Sequence, residues 1–600
     1  MPTTMLKPST PRAEAPCTTP GTPGGFGRPF ALFGGFAGTF LAALAGGCVN
    51  MASIDRSVDR LVKARSESLG ADAVAPTLRP PGPADSEART RADVQRTTNE
   101  TPPTINPPAS DLPFEVADTA PENVLQRLDG YAQELEGTNP LDLEGSFRTA
   151  QRTGREYRSS EEEYLLTAIR LLIEKHLWGP RFFDEIRTAV AGFGDNADYS
   201  SALTVINELR ATQRLPYGGD IEARLVTQAA QQLTELAGDQ YTQSTQLVLS
   251  ANIPLLRGAG DVAREDLIQA ERDLIYAART FEQFRRQHLV DIARDYFALV
   301  SQKIFIENQE KRLQSVIRLQ ERTSALVDAG RESAFKARNV EQNVLTSRNS
   351  LIAARENYLL ALDRFKVRLG LPVDASIRIE PVSLELADPA ISVAKAAELA
   401  LAYRLDYQNQ RDRTDDARRR IANARNDLLP DLNLNAGTTL NTDKDRRRGR
   451  SDFDLNDTDY IAGITLSLPL DREIERLNLR SAMIALQRQA RDSEELRDTI
   501  ILSARRAVRE IDRARNALAL LQKAVEINEL RAEELELKSD ETDPQEKLDA
   551  ENELLQSRND LQDAVRDLRI SILEYLLQTG QLRVGPDGTL KPLQGMLIGA

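Results

Sequence analysis

Few side chains in this sequence could do covalent or metal chemistry. The 600 residues hold two histidines, His176 and His288, and two cysteines, Cys17 and Cys48. Neither a four-thiolate metal site nor a disulfide scaffold can be built from that set. His176 follows Ile173 and precedes Trp178 at the end of a helical pattern, which predicts a packed side chain rather than a ligand. His288 falls on the seam of a longer helical pattern, with no set of carboxylate or cysteine partners near it. Gly258-Ala-Gly260 follows a strand pattern but lacks the third glycine and the βαβ context of a dinucleotide loop. No nucleophile is spaced with a base. The expectation is no enzyme, no metal and no cofactor. The charged stretch from Lys538 to Ala550 reads first as helix-start chemistry: Asp543 as N-cap, Pro544 at the first helical position, Glu546 closing a capping box.

The remaining cysteine chemistry lies at the N-terminus. Lys7, Arg12 and Arg28 precede an uncharged apolar stretch from Phe30 to Ala45, which is too short and Gly-rich for a membrane span but suits a signal-peptide core. It ends in Leu44-Ala45-Gly46-Gly47-Cys48, which resembles the lipobox of bacterial lipoproteins. That resemblance implies cleavage after residue 47 and a lipid on Cys48; an ordinary secretory peptide is the alternative. Ten prolines between Pro76 and Pro121 then predict a semi-extended linker over 48–121.

The elements behind these residues come in two copies. Ser347, Arg348, Asn349, Leu351 and Ala354 recur as Ser557, Arg558, Asn559, Leu561 and Ala564, and Gly370 recurs as Gly580. Ile253-Pro254-Leu255 parallels Leu468-Pro469-Leu470, and Trp178-Gly-Pro180 parallels Leu428-Leu-Pro430. The body reads as two units, 122–370 and 371–600, each helix, strand, strand, long helix, returning helix. Ala263, Leu267, Ala270, Leu274, Ala277, Phe281 and Phe284 form a heptad seam. Helices are expected at about 260–329, 333–369, 471–538 and 544–579; a run of 70 residues is about 105 Å long. Strands are expected at about 205–228, 243–254, 431–441 and 459–468, alternating apolar and polar residues, as in Leu247, Leu249, Ala251 and Ile253 against Ser250 and Asn252. Pro254 and Pro469 mark the strand-to-helix junctions.

Composition constrains the whole. Hydrophobic residues make up 41%, charged residues 28%, and the formal charge is -14. The charge argues against nucleic acid as a partner, and no run past the N-terminus suits a membrane-spanning helix. The basic run Asp443 to Arg450 joins two strands and is expected as a solvated loop. Four strands cannot close a membrane barrel, whose smallest forms use about eight, and an open edge cannot sit in lipid. If the strands span a membrane, three chains would share a twelve-stranded barrel continued by a helical cylinder. The alternative is an outer-membrane-anchored coiled-coil scaffold without channel activity.

The order of several short motifs resembles the TolC-type outer-membrane efflux protein family over roughly residues 141–580. They are Leu141-Asp-Leu-Glu144 with Phe147 and Ala150, Pro254-Leu-Leu-Arg-Gly258, Val327-Asp-Ala-Gly330, Ala402-Tyr-Arg404-Leu-Asp406, and Leu429-Pro430-Asp-Leu432. The resemblance implies a mainly α protein with a small β part. Its long antiparallel helices would form a trimeric α-barrel, continued by a shared 12-stranded outer-membrane β-barrel. It also implies a homotrimer in outer-membrane lipid with its helices in the periplasm. Such a duct takes small molecules, ions or polypeptides from a periplasmic adaptor and an inner-membrane pump. Glu546 and Asp549 match acidic positions that line the closed entrance in the family, where a trimer would gather rings of three carboxylates. Gly330, Arg331 and Asp540 lie at the helix-tip turns where an adaptor would dock, with Lys336 nearby. Asp540 stands where the first copy has Gly330.

Overall fold

The computed structural model describes residues 51–70, 73–77, 121–135, 140–195, 198–232, 241–380, 392–442, 453–537, 544–585 and 590–592. The chain parts into Met1–Arg56 and Ser57–Ala600. Of the first part only residues 51–56 are described, as the opening turns of a helix, α1, Met51–Glu67. Every other element lies in the second part. Cys48, the signal-peptide stretch, most of the proline-rich segment, the basic run 443–450, Asp540 and Asp543 lie outside the described residues.

The protein is mostly helical with one substantial sheet. The short helix α2 (Pro121–Leu135) precedes the strand β1 (Pro140–Leu141). The first repeat then runs α3 (Leu143–Thr153), α4 (Arg155–Leu177), β2 (Arg181–Asp195), β3 (Asp198–Arg214), β4 (Asp220–Gln232), β5 (Tyr241–Pro254), a 3-10 turn (Gly260–Arg264), α5 (Glu265–Asp328) and α6 (Ala334–Leu369). After β6 (Arg378–Ile379), which pairs with β1, the second repeat runs α7 (Val393–Tyr403), α8 (Leu405–Asn426), β7 (Asp431–Thr442), β8 (Phe453–Ser467), α9 (Glu473–Leu537) and α10 (Pro544–Gln578). Strands β9 (Leu582–Val584) and β10 (Leu590–Pro592) form a terminal hairpin. Among the described residues no helix is long and apolar enough to cross a membrane.

The sequence repeat appears as repeated local geometry. Each unit opens with a short helix broken from a longer one: Gly154 separates α3 from α4, and Arg404 separates α7 from α8. At both breaks the backbone N–H still donates four residues back, Gly154 to Ala150 at 2.8 Å and Arg404 to Ala400 at 3.0 Å. Each returning helix ends on a left-handed glycine seated against the matching break. Gly370 has φ +74 and Gly580 has φ +70. A methyl on Gly370 would lie 2.0 Å from the Thr153 carbonyl oxygen, and one on Gly580 would lie 2.8 Å from the Tyr403 carbonyl carbon. Only glycine meets the twist and the close approach together.

The α5 helix is 64 residues long and α9 is 65. The heptad seam on α5 is where its packing occurs: Leu274 and Phe281 are buried, and Leu267, Ala270, Ala277 and Phe284 pack against the same cluster with Val58, Val62, Tyr164 and Leu171. A second core joins both repeats through Phe147, Tyr296, Phe365, Leu369, Ile500, Ile511, Leu573 and Leu576.

One expectation about the sheet is overturned. Among the described residues six strands form it, not four, in the order β2-β3-β4-β5-β7-β8, with every neighbouring pair antiparallel. The single element expected at 205–228 is two strands, because Leu215-Pro-Tyr-Gly-Gly219 turns the chain back, with Gly218 at φ +105 and Gly219 at φ +83. Residues 181–195 form a further strand paired along its whole length with β3. The first repeat therefore holds two hairpins where the second holds one.

Candidate channel wall and helix tips

The pairing register sorts the sheet's side chains into two faces. Reading along the ladder, Phe182 aligns with Ala211, Ala223, Leu249, Thr438 and Tyr460. The rows on either side carry Leu209, Leu225, Leu247 and Leu440, then Ile221, Ala251, Ala436 and Ala462. This face is apolar and stays open: Phe182 is 72% exposed, Ile464 67% and Tyr460 87%. Polar residues interrupt it, as where Asn207 Nδ2 donates to Asp184 Oδ1 at 3.1 Å in a row that continues through Thr227 and Thr245.

The opposite face carries most of the sheet's charged and amide side chains, with Ile206, Val226 and Ile461 among them. Arg210, Arg224 and Val248 share one row, and Glu222, Ser250 and Gly437 the next. Arg224 lies 3.0 Å from Glu222 and 3.5 Å from Glu208. Gln246 donates to Asn441 at 2.9 Å, and Asn435 to Thr465 at 2.9 Å. Arg181 and Arg210 lie over the Phe183 ring at 5.6 and 5.2 Å. Most of these charges sit on β2, β3 and β4. A sheet with one uncovered apolar face and one hydrogen-bonded polar face is what a wall between lipid and water requires.

Both junction prolines close their strands. Pro254 ends β5 opposite Asn433, and the next residue, Leu255, donates its N–H to the Leu432 carbonyl at 2.7 Å. Asn426 holds this corner from both sides: its Oδ1 accepts from the Gly258 N–H at 2.7 Å and its Nδ2 donates to the Leu256 carbonyl at 3.2 Å. Pro469 follows β8, and its carbonyl accepts from Arg472 Nε at 3.0 Å while Arg472 Nη1 donates to the Leu428 carbonyl at 2.8 Å. The turn between β3 and β4 is pressed into the first junction. Gly260 N–H donates to the Tyr217 carbonyl at 2.8 Å, and a methyl on Gly219 would meet the Asn252 carbonyl oxygen at 1.9 Å.

At the opposite end of the first helix pair, Gly330 takes φ +69 between α5 and α6. Arg331 donates its N–H to the Leu326 carbonyl at 2.9 Å, and Ser333 caps α6 by accepting from the Lys336 N–H. Arg331 is exposed; Lys336 pairs with Glu332 at 3.3 Å. Beside them Phe335 is 71% exposed, an apolar tip residue that sequence reasoning passed over. On the second pair, α10 begins at Pro544, and Glu546 and Asp549 are both exposed on its first turns, with Gln545 donating to Asp549 at 3.0 Å. Between them Leu548 is buried against Val316, Val340 and Val344, so α5, α6 and the start of α10 share one small core near the tips.

The helices carry buried charge away from either end. Glu282 accepts from Arg285 at 2.6 Å and from Arg286 at 3.0 Å, all three buried, and Arg285 also donates to the Val584 carbonyl at 2.9 Å. Tyr276 donates to Asp416 at 2.5 Å, and Arg272 and Arg419 lie 3.2 and 2.8 Å from the same carboxylate. Burial, with that donated bond, pushes the Tyr276 hydroxyl up to about 12. His288 is buried, stacked on Phe284 at 5.3 Å, and burial pulls its pKa below the ordinary value. His176 is exposed at the end of α4, which corrects the expectation that it would be packed: the helix turns it outward along with Ile173. Among the described residues no cluster of three or more His, Cys, Asp or Glu could hold a metal.

No family model and no curated protein matches the sequence. Solved structures do match in fold. The outer-membrane channel OprN superposes with a TM-score of 0.56 at 15% identity, covering 76% of this chain and 91% of that one. CusC, whose structures concern folding and transmembrane channel formation, gives 0.54 at 14%, covering 73% and 92%. The CmeC outer membrane channel of Campylobacter jejuni gives 0.54 at 14%, covering 73% and 85%. The chain thus carries the fold of the TolC-type outer-membrane channels.

Proposed function

We propose that the protein is an outer-membrane channel-tunnel, assembled as a homotrimer whose sheets join in one barrel and whose helices continue it into the periplasm. The observation that carries this reading is the two-faced sheet. A coiled-coil scaffold would have its apolar strand face packed as a soluble core, yet Phe182, Tyr460 and Ile464 remain open. In lipid that face is satisfied, and the polar face with Glu208, Arg210, Glu222 and Arg224 lines water. In this reading the exported cargo is small molecules, ions or polypeptides, delivered by a periplasmic adaptor and an inner-membrane pump. The adaptor contacts the tips around Gly330, Arg331 and Asp540. Glu546 and Asp549 border the periplasmic aperture, and cleavage at residue 47 leaves Cys48 lipid-anchored. The test is purification from outer membranes followed by planar-bilayer recording. Detergent-resistant trimers with channel conductance are expected. A soluble, non-conducting product of a Cys48→Ala variant would refute the duct and favour the scaffold.

A further inference from the structure

We infer that three copies close a barrel of eighteen strands, sealed where β2 of one copy pairs with β8 of the next. The inference rests on the trimeric reading above but departs from the twelve strands that four per chain would give.

Among the described residues the sheet ends in two unpaired edges of equal length: β2 and β8 each have 15 residues. Both edges carry open apolar side chains, Phe182, Ile186 and Val190 on one and Tyr460, Ile464 and Leu466 on the other. A free strand edge cannot persist in hydrocarbon, because its N–H and C=O groups have no water to bond. The occupant is fixed by direction. Six strands alternate in direction across the sheet, so β8 runs opposite to β2, and the two can join only as an antiparallel pair from different copies. That continues the pattern of every other pair in the sheet.

Register adds a second, independent constraint. Following the ladder from Arg181 leads through Thr212, Glu222, Ser250 and Gly437 to Ile461. Ile461 lies six residues before Ser467, where β8 ends at the helical side. If each copy's β2 starts level with the end of its neighbour's β8, Arg181 pairs with Ser467 and the stagger per copy is those six residues. Six residues at ~3.3 Å against six strands at ~4.8 Å is a slope of ~35°, the strand tilt that closed barrels adopt. The same register keeps the faces in phase. Phe182 meets Leu466, Ile186 meets Ala462 and Thr188 meets Tyr460 on the apolar side, while Arg181 meets Ser467 and Phe183 meets Thr465 on the polar side. A one-residue slip would put charge in lipid.

Strand β2 is built into the molecule rather than appended to it. It pairs with β3 along all 15 of its residues, and the β3–β4 turn is locked to the strand–helix junction through Gly219 and the Gly260–Tyr217 bond. At the same tilt, eighteen strands give a barrel about 34 Å across between backbones, against about 22 Å for twelve. The extra wall brings Glu185, Arg187, Glu208 and Arg210 to the water side.

The experiment is an electron-microscopy reconstruction of the full-length protein in nanodiscs, with two cysteine pairs as a register check. Eighteen strands in a three-fold map are expected. Thr188→Cys/Tyr460→Cys should give covalent dimers and trimers on oxidation, and Thr188→Cys/Ile464→Cys, four residues out of register, should not. A three-fold map with twelve strands would overturn the inference and leave the channel reading standing. So would eighteen strands in which only the shifted pair cross-links, for the register. A monomer without a barrel would overturn both. The map of the unsubstituted chain decides even where a cysteine variant does not assemble.

Discussion

The two glycine seats give a perturbation with its own internal control. Gly370 and Gly580 end equivalent helices with nearly the same backbone twist, φ +74 and +70. Placing alanine in the left-handed region costs about 1–2 kcal/mol, and that term is common to both sites. The surroundings differ. A methyl on residue 370 comes 2.0 Å from a backbone oxygen and 2.4 Å from its carbon, and the Thr153 hydroxyl, which donates to the Leu369 carbonyl at 2.6 Å, ties that backbone in place. At residue 580 the nearest atoms, also backbone, are at 2.8 to 3.0 Å, a shallower overlap than at residue 370. Crowding of the first kind adds about 1–3 kcal/mol. Gly370→Ala should therefore destabilise its helix end by about 2–5 kcal/mol, and Gly580→Ala by less, toward the lower end of that range. Amide hydrogen exchange reads each end separately, because the Leu371 N–H donates to Lys366 and the Gln581 N–H to Leu576, one closing bond per helix. Each 1.4 kcal/mol is a tenfold loss of protection at the affected amide. Equal losses at the two sites, or a larger loss at Gln581, would refute the steric argument.

Other expectations rest on the same geometry. Leu249→Arg, on the apolar face, should cut barrel assembly by about 2–4 kcal/mol, while Ser250→Arg beside it should assemble and shift ion selectivity, read by membrane fractionation and reversal potential. Glu282→Gln removes the carboxylate that Arg285 and Arg286 share in the buried cluster and should cost about 3–5 kcal/mol in denaturant unfolding, well beyond the effect of an exposed carboxylate such as Glu494→Gln. His288 has a folded pKa below its ordinary 6.5, so its contribution is intact above that pH and is lost as acid protonates the unfolded chain; His288→Phe should flatten that acid limb in a stability-versus-pH series. Glu546→Ala/Asp549→Ala should weaken cation selectivity and cation block in single-channel recordings, and unchanged recordings would remove both residues from the aperture.

The sequence was most readable where one physical rule acted alone. The α5 seam followed from heptad spacing, and Leu274 and Phe281 are buried where it placed them. Proline and glycine punctuation located the strand–helix junctions and the helix ends, because Pro254, Pro469, Gly330 and Gly370 each have a local backbone cause. Strand β2 escaped because two rules conflict there. Phe182 and Phe183 are adjacent and so face opposite ways, and Asp184 lies on the apolar face with Asn207 as its partner. Period-two alternation therefore fades just where a strand begins. A signal was present: Gly194-Asp-Asn196 is turn chemistry flanked by two residue runs of strand length. The tip was read for charge, which drew notice to Glu546 and Asp549 and away from Phe335 and Leu548. Burial of Leu548 depends on a neighbouring hairpin distant in sequence, and no local pattern reports it.

The unequal repeats have a consequence for symmetry. In the helical part the two units of one chain are near copies, so in the proposed trimer three chains would present six similar elements around an axis. In the sheet one unit supplies four strands and the other two. In that trimer the wall would repeat only three times per turn. Arg210, Arg224, Glu208 and Glu222 all belong to the larger unit, while the smaller unit's polar face adds Asp431 and Asp459 to Asn433, Asn435 and Thr465, so the lumen would carry its mixed charge in three arcs separated by stretches whose charge is acidic. A solute leaving the helical section would pass from a nearly uniform ring into a field with three distinct sectors, and a charged one would cross the membrane off the central axis.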